Sequence, residues 1–144
     1  MNRNLYYSDK VLKDLFDRIN TIALVGASPR GPSRASWRVM KYLQLQGYKV
    51  YPVNPNAKGV FINGEMTYGS LNDVPKKVDL VDIFRRSSKV ASVVDEAIEL
   101  KIPYIWMQLD VIDRLAAEKA ENAGAIVIMD RCPAIEIPKL LLQK

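Results

Sequence analysis

The chain has 144 residues, 49% of them apolar and 26% charged; 21 basic against 16 acidic side chains give a formal net charge of +5. This is the profile of one soluble globular domain with room for a full core. No apolar run nears the ~20 residues of a membrane helix, the opening MNRNLYYSDK has no signal-peptide apolar stretch, and the lone Cys132 allows no internal disulfide, so a cytoplasmic location is expected.

Residues 8–19 predict a helix, with Ser8 as N-cap and Val11, Leu12, Leu15, Phe16 and Ile19 as one apolar stripe. Thr21 to Gly26 is nearly all apolar and rich in β-branched side chains, which reads as a strand buried on both faces. The small turn Gly26-Ala27-Ser28-Pro29 follows, then a helix with Trp37, Met40 and Leu43 on one side and Gly47 at its stop. A second strand, Tyr48 to Val53, ends in Asn54-Pro55 and completes a βαβ unit of the nucleotide-binding kind. Asn63-Gly64, between Phe61-Ile62 and Met66-Thr67-Tyr68, signals a small hairpin near the mouth of the pocket.

The third long strand runs from Val78 to Phe84, and Ser87 or Ser88 is the expected cap of a helix carrying Val90, Val93, Val94, Ala97 and Ile98. A fourth strand, Pro103 to Leu109, a helix from Val111 to Asn122 and a fifth strand, Ala125 to Met129, come next. The tail from Pro133 to Leu142 is expected to pack Ile135, Ile137, Leu140 and Leu141 back on the domain. The expected fold is α/β: a Rossmann-like, doubly wound, five-stranded parallel sheet of order 3-2-1-4-5, with helices on both faces and the ligand over the switch between strands one and four.

The first βα turn can attract phosphate, because a helix N-terminus carries free N–H groups and partial positive charge. Gly-Ala-Ser-Pro is not G-x-G-x-x-G, however, and the second strand ends without the acid that grips the ribose of NAD. Basic residues stand there instead: Arg30, Arg34 and Arg38 around the first turn, Lys58 after the second strand, and Arg85-Arg86 at the end of the third. Arginine suits bidentate phosphate recognition, and the helix dipole disfavours its placement at a helix start, which favours a functional reading. The ligand so implied is polyphosphorylated, and NADP also suits such a pocket. The charge has no dense Lys/Arg run, so an anionic small molecule is favoured over nucleic acid. Phe84 offers a ring for an adenine or packs in the core, and Trp106, a large aromatic at a strand end, is core or site. Cys132, beside Arg131, reads as a buried small residue or as a thiol for a mixed disulfide.

Ile22 to Ser28, Tyr51 to Pro55, Val81 to Arg86, Trp106 to Leu109 and Met129 to Pro133 together resemble the small single-domain CoA-binding proteins. These are related to the CoA-binding domain of the succinyl-CoA synthetase alpha subunit. Asp110 stands where the family's pattern has Gly. The resemblance implies coenzyme A or an acyl-CoA as ligand. Gly26, Ala27, Ser28 and Pro29 would meet the pyrophosphate, Val53, Asn54, Pro55 and Phe84 would flank the adenosine, and Arg38, Lys58, Arg85 and Arg86 would supply charge. Trp106, Met107 and Gln108 would border the pantetheine arm, with Cys132 near the CoA thiol. The phosphohistidine route of the resembled synthetases needs a histidine, and this chain has none. The expected activity is a non-catalytic binding module, with no nucleic-acid, membrane or metal partner and with a homodimer or another protein partner left open. The alternatives are an NADP-linked oxidoreductase and one component of a multi-chain acyl-CoA ligase.

Overall fold

The computed structural model describes residues 5–141. Helix α1 (Asp9–Arg18) is capped by Ser8, whose hydroxyl accepts from the Val11 N–H at 3.2 Å. It leads into β1 (Thr21–Val25), α2 (Ala35–Leu45) and β2 (Lys49–Val53). A hairpin of β3 (Phe61–Ile62) and β4 (Glu65–Met66) follows. The rest alternates: β5 (Leu80–Ile83), α3 (Val90–Glu99), β6 (Tyr104–Met107), α4 (Arg114–Asn122), β7 (Ile126–Ile128) and α5 (Pro133–Leu141). Leu142, the expected end of the tail, lies outside the described residues.

The five long strands form one parallel sheet in the order β2-β1-β5-β6-β7. Alternating side chains build two cores. Val81, Ile83, Ile105 and Met107 face the layer of α3 and α4, and Leu24, Leu80, Trp106 and Ile128 face that of α1, α2 and α5. The doubly wound sheet with helices on both faces is the expected one, but one strand moves. The third long strand, β5, pairs with β1 and not outside β2, so by first appearance the order is 2-1-3-4-5 rather than 3-2-1-4-5. The reason lies at the outer edge of β2. Tyr68 donates its N–H to the Pro52 carbonyl at 2.9 Å and accepts from the Asn54 N–H at 2.8 Å, so that edge is already occupied. The vacant edge of β1 takes β5, and the switch point falls between β1 and β5.

Two local expectations also change. Asn63 and Gly64 make the hairpin turn with φ of 49° and 83°, as a two-residue type I′ loop requires. The tip docks on α2, through Gln44 to the Asn63 carbonyl and Asn63 to the Trp37 carbonyl, not at the mouth of the pocket. Neither Ser87 nor Ser88 caps α3. A 3-10 turn, Ser87–Lys89, enters that helix without a side-chain cap, and the Ser87 hydroxyl instead accepts from the Ile112 N–H at 3.1 Å.

Candidate functional site

The site is built where three strand ends meet. The turn after β1 begins with Gly26, at φ 91°, whose N–H donates to the Val53 carbonyl at 2.8 Å. A Cβ on Gly26 would lie 2.1 Å from the Phe84 carbonyl oxygen and 3.2 Å from Cδ of Arg85. Glycine therefore lets the ends of β1 and β5 close on each other, and the stem of Arg85 lies against the turn. Asn54 ties in the end of β2: its amide donates to the Ala27 carbonyl at 2.8 Å, and its oxygen accepts from the Asn56 N–H at 2.9 Å.

Beside this junction a cleft of 420 Å³ is lined by Asn56, Phe84, Arg85, Arg86 and Lys89. Three of its five lining residues are cations and none is an acid. Arg86 and Lys89 are exposed, and Phe84 and Arg85 are half-buried. None of the three cations takes part in the ion pairs found among the described residues. Asn56 and Lys89 were not among the residues expected at the site. The signal was present, since Asn56 follows Asn54-Pro55 and Lys89 lies three residues beyond Arg86.

The other expected site residues are placed differently. Ala27 donates its N–H to Val53 at 3.4 Å, Ser28 donates to the Ser36 hydroxyl at 3.1 Å, and Pro29 has no N–H. The turn's own donors are thus engaged within the chain, which corrects the expectation of a ready-made backbone cradle. α2 nevertheless starts without a side-chain cap and with no acid in its first turn. Val53 is buried, with its carbonyl serving the turn, while Pro55 is exposed at the head of a 3-10 turn, Pro55–Ala57. Arg38 donates to the Pro32 carbonyl at 2.6 Å and so braces the loop before α2. The Lys58 stem runs by Gly69, with its Cδ 3.4 Å from a Cβ built there, in company with the Asp73 carboxylate at 3.5 Å. Neither Arg38 nor Lys58 lines the cleft.

Trp106 and Met107 are fully buried, on opposite faces of β6. The Trp106 indole donates to the Arg131 carbonyl at 2.7 Å, and its ring lies 5.4 Å from that of Phe16. Both are core residues in this structure, without surface to offer a pantetheine arm. Gln108 is also buried, and its side-chain oxygen has no hydrogen-bond partner among the described residues. Cys132 is buried in the core with Trp106 and Ile137. The neighbouring Arg131 guanidinium is committed elsewhere: it donates to the Leu5 carbonyl at 2.8 Å and stacks 5.4 Å from the Tyr7 ring.

Asp110, which stands in place of a glycine, has φ 67°, the left-handed region where glycine costs least. Its N–H is held by the Asp130 carboxylate at 2.7 Å, so the loops after β6 and β7 are latched together. One further residue escaped the sequence reading. Asp82, in the middle of the sheet between Leu24 and Trp106, is fully buried with neither carboxylate oxygen bonded among the described residues. Burial raises its pKa well above the ordinary value.

A family model described as a CoA binding domain matches residues 20–138. The chain belongs to the CoA-binding domain family. It is similar to the uncharacterized protein YneT of Bacillus subtilis (strain 168), with 35% identity over 121 residues, 84% of this chain and 87% of YneT. A hypothetical protein from Pyrococcus horikoshii OT3 superposes with a TM-score of 0.89 at 36% identity, covering 98% of this chain and 97% of that one. The dinucleotide-forming acetyl-coenzyme A synthetase 1 of Ca. Korarchaeum cryptofilum, solved in complex with phosphate and ADP, matches with a TM-score of 0.65 at 28% identity. That match covers 79% of this CoA-binding domain but 26% of the synthetase.

Proposed function

We propose that this CoA-binding-domain chain holds coenzyme A, free or acylated, without acting on it. Phosphate groups would sit against Arg85, Arg86 and Lys89, and Phe84 would flank the adenine. The observation that carries this reading is the acid-free cationic cleft at the switch point of the sheet, where ligands bind in open α/β folds. Arginine and lysine left without acidic partners are the groups that recognise phosphate, bidentately in the case of Arg. The lack of histidine supports binding without catalysis, since a proton-transfer group working near neutral pH would have to be made from a strongly perturbed carboxylate, lysine or thiol.

Calorimetric titration with CoA, dephospho-CoA, NADP and NAD in parallel tests the reading. CoA is expected to bind, dephospho-CoA more weakly, and Arg86→Ala is expected to cost roughly 1.5–3 kcal/mol, the worth of a hydrogen bond to a charged group. NADP binding with no response to CoA would replace this reading by that of an NADP-linked oxidoreductase.

A further inference from the structure

A second cavity among the described residues lies away from the carboxyl ends of the strands. It is a groove of 580 Å³ on the opposite side of α2, where the C-terminal end of that helix and the residue before β2 meet α1 and the last turns of α5. Its apolar lining is Phe16, Tyr48, Ile137, Leu140 and Leu141. The Tyr48 hydroxyl is spent on the Phe16 carbonyl at 2.9 Å, so Tyr48 offers the groove a ring without a free polar tip. Leu141 remains 50% exposed. A groove of this size, mostly apolar with polar groups at its rim, is the usual form of a small-molecule site.

The rim decides which molecule. Besides the neutral Gln46 it carries Asp9, Lys10, Lys13 and Asp17. Lys13 and Asp17 pair with each other at 2.9 Å. Asp9 lies in the first turn of α1, where the positive end of the helix balances its charge. Neither Asp9 nor Lys10 takes part in the ion pairs found among the described residues, and the positive end of α1 tips that pair of neighbours towards an anion. We propose that this groove is a second binding site, for an amphipathic anion: an unbranched apolar chain of the fatty-acyl kind against Phe16, Ile137 and Leu140, with its carboxylate at Lys10. The proposal does not depend on CoA binding, because no residue is shared between the groove and the cleft.

The test is calorimetric titration of the full chain with dodecanoate below its micelle concentration, with dodecyltrimethylammonium as the cationic control. Saturable binding of one dodecanoate, and a weaker response to the cation, is expected. Lys10→Ala changes an exposed side chain and should weaken dodecanoate by roughly two- to fivefold, the worth of an exposed ion pair, while leaving dodecanol unaffected. Leu140→Trp, which fills the groove, should abolish binding of both without changing the response to CoA. Arg86→Ala should do the reverse, so a failed CoA reading and a failed groove are told apart. Equal affinity for anion and cation, or no saturable binding, overturns the proposal. So does a dimer in sedimentation velocity that Leu140→Trp dissolves, which would make a second copy the occupant. Binding that appears only after removal of residues 142–144 overturns it for the full chain.

Discussion

At the scale of single residues, burying Asp82 carries a cost. A carboxyl group with neither oxygen bonded among the described residues, fully enclosed between Leu24 and Trp106, is pushed towards its neutral form by desolvation. The sign of its effect on stability follows from proton counting. Between its ordinary pKa of 3.8 and its raised folded value, the folded chain keeps a proton that the unfolded chain has released. The folded state binds more protons there, so Asp82 subtracts stability as pH rises through that window, and the loss levels off above the folded value. Asp82→Asn removes the titration while nearly preserving shape. In urea unfolding from pH 4 to pH 8, the variant's advantage over the parent should grow with pH, to roughly 1–3 kcal/mol at neutrality. Parallel curves for the two proteins would show that Asp82 finds a partner on folding.

At the scale of elements, the site depends on how closely the ends of β1 and β5 approach. Gly26 combines a left-handed φ of 91° with a Cβ direction blocked 2.1 Å away by the Phe84 carbonyl. That carbonyl belongs to the segment whose N–H donates to Val25 at 2.7 Å, so it cannot step aside without breaking the β1–β5 ladder. Gly26→Ala should cost roughly 2–5 kcal/mol, from backbone strain together with overpacking. Its measurable sign is a lower urea midpoint with the slope unchanged; a cost under about 0.5 kcal/mol would mean that the strand ends can spread. The need for glycine was legible in the sequence, but its reason was not. Gly26 was expected to meet a pyrophosphate, whereas here its missing side chain admits the end of another strand.

The same contrast runs along the chain. Each long strand and helix announced itself, because buried parallel strands are apolar runs and the helices keep an apolar stripe. The neighbour of β1 was hidden, since it turns on Tyr68 occupying the edge of β2, a contact no local pattern encodes. Trp106 and Met107 were misplaced for a related reason: a strand end looks open in sequence until α1 brings Phe16 over one face and α3 and α4 cover the other. Arg85 and Arg86 were readable because two cations at a helix start violate a local electrostatic rule, and such violations tend to mark function.

At the scale of the whole molecule, the charge of +5 is unevenly neutralised. The ion pairs among the described residues join Lys13, Lys49, Lys119, Arg131 and Lys139 to acids, all outside the cleft. Arg85, Arg86 and Lys89 keep their field for an incoming anion. Such exposed charge is screened over about 10 Å at 0.1 M salt and about 3 Å at 1 M. Binding of CoA to this cleft should therefore weaken roughly three- to tenfold between 0.05 M and 0.5 M sodium chloride, chiefly through slower association. Dephospho-CoA, with less charge to screen, should show a shallower slope, and Arg86→Ala should flatten the slope for both. Parallel salt dependences for CoA and dephospho-CoA would mean that the 3′-phosphate lies outside the field of these cations. In that case the adenosine end of the ligand would have to be placed away from Phe84.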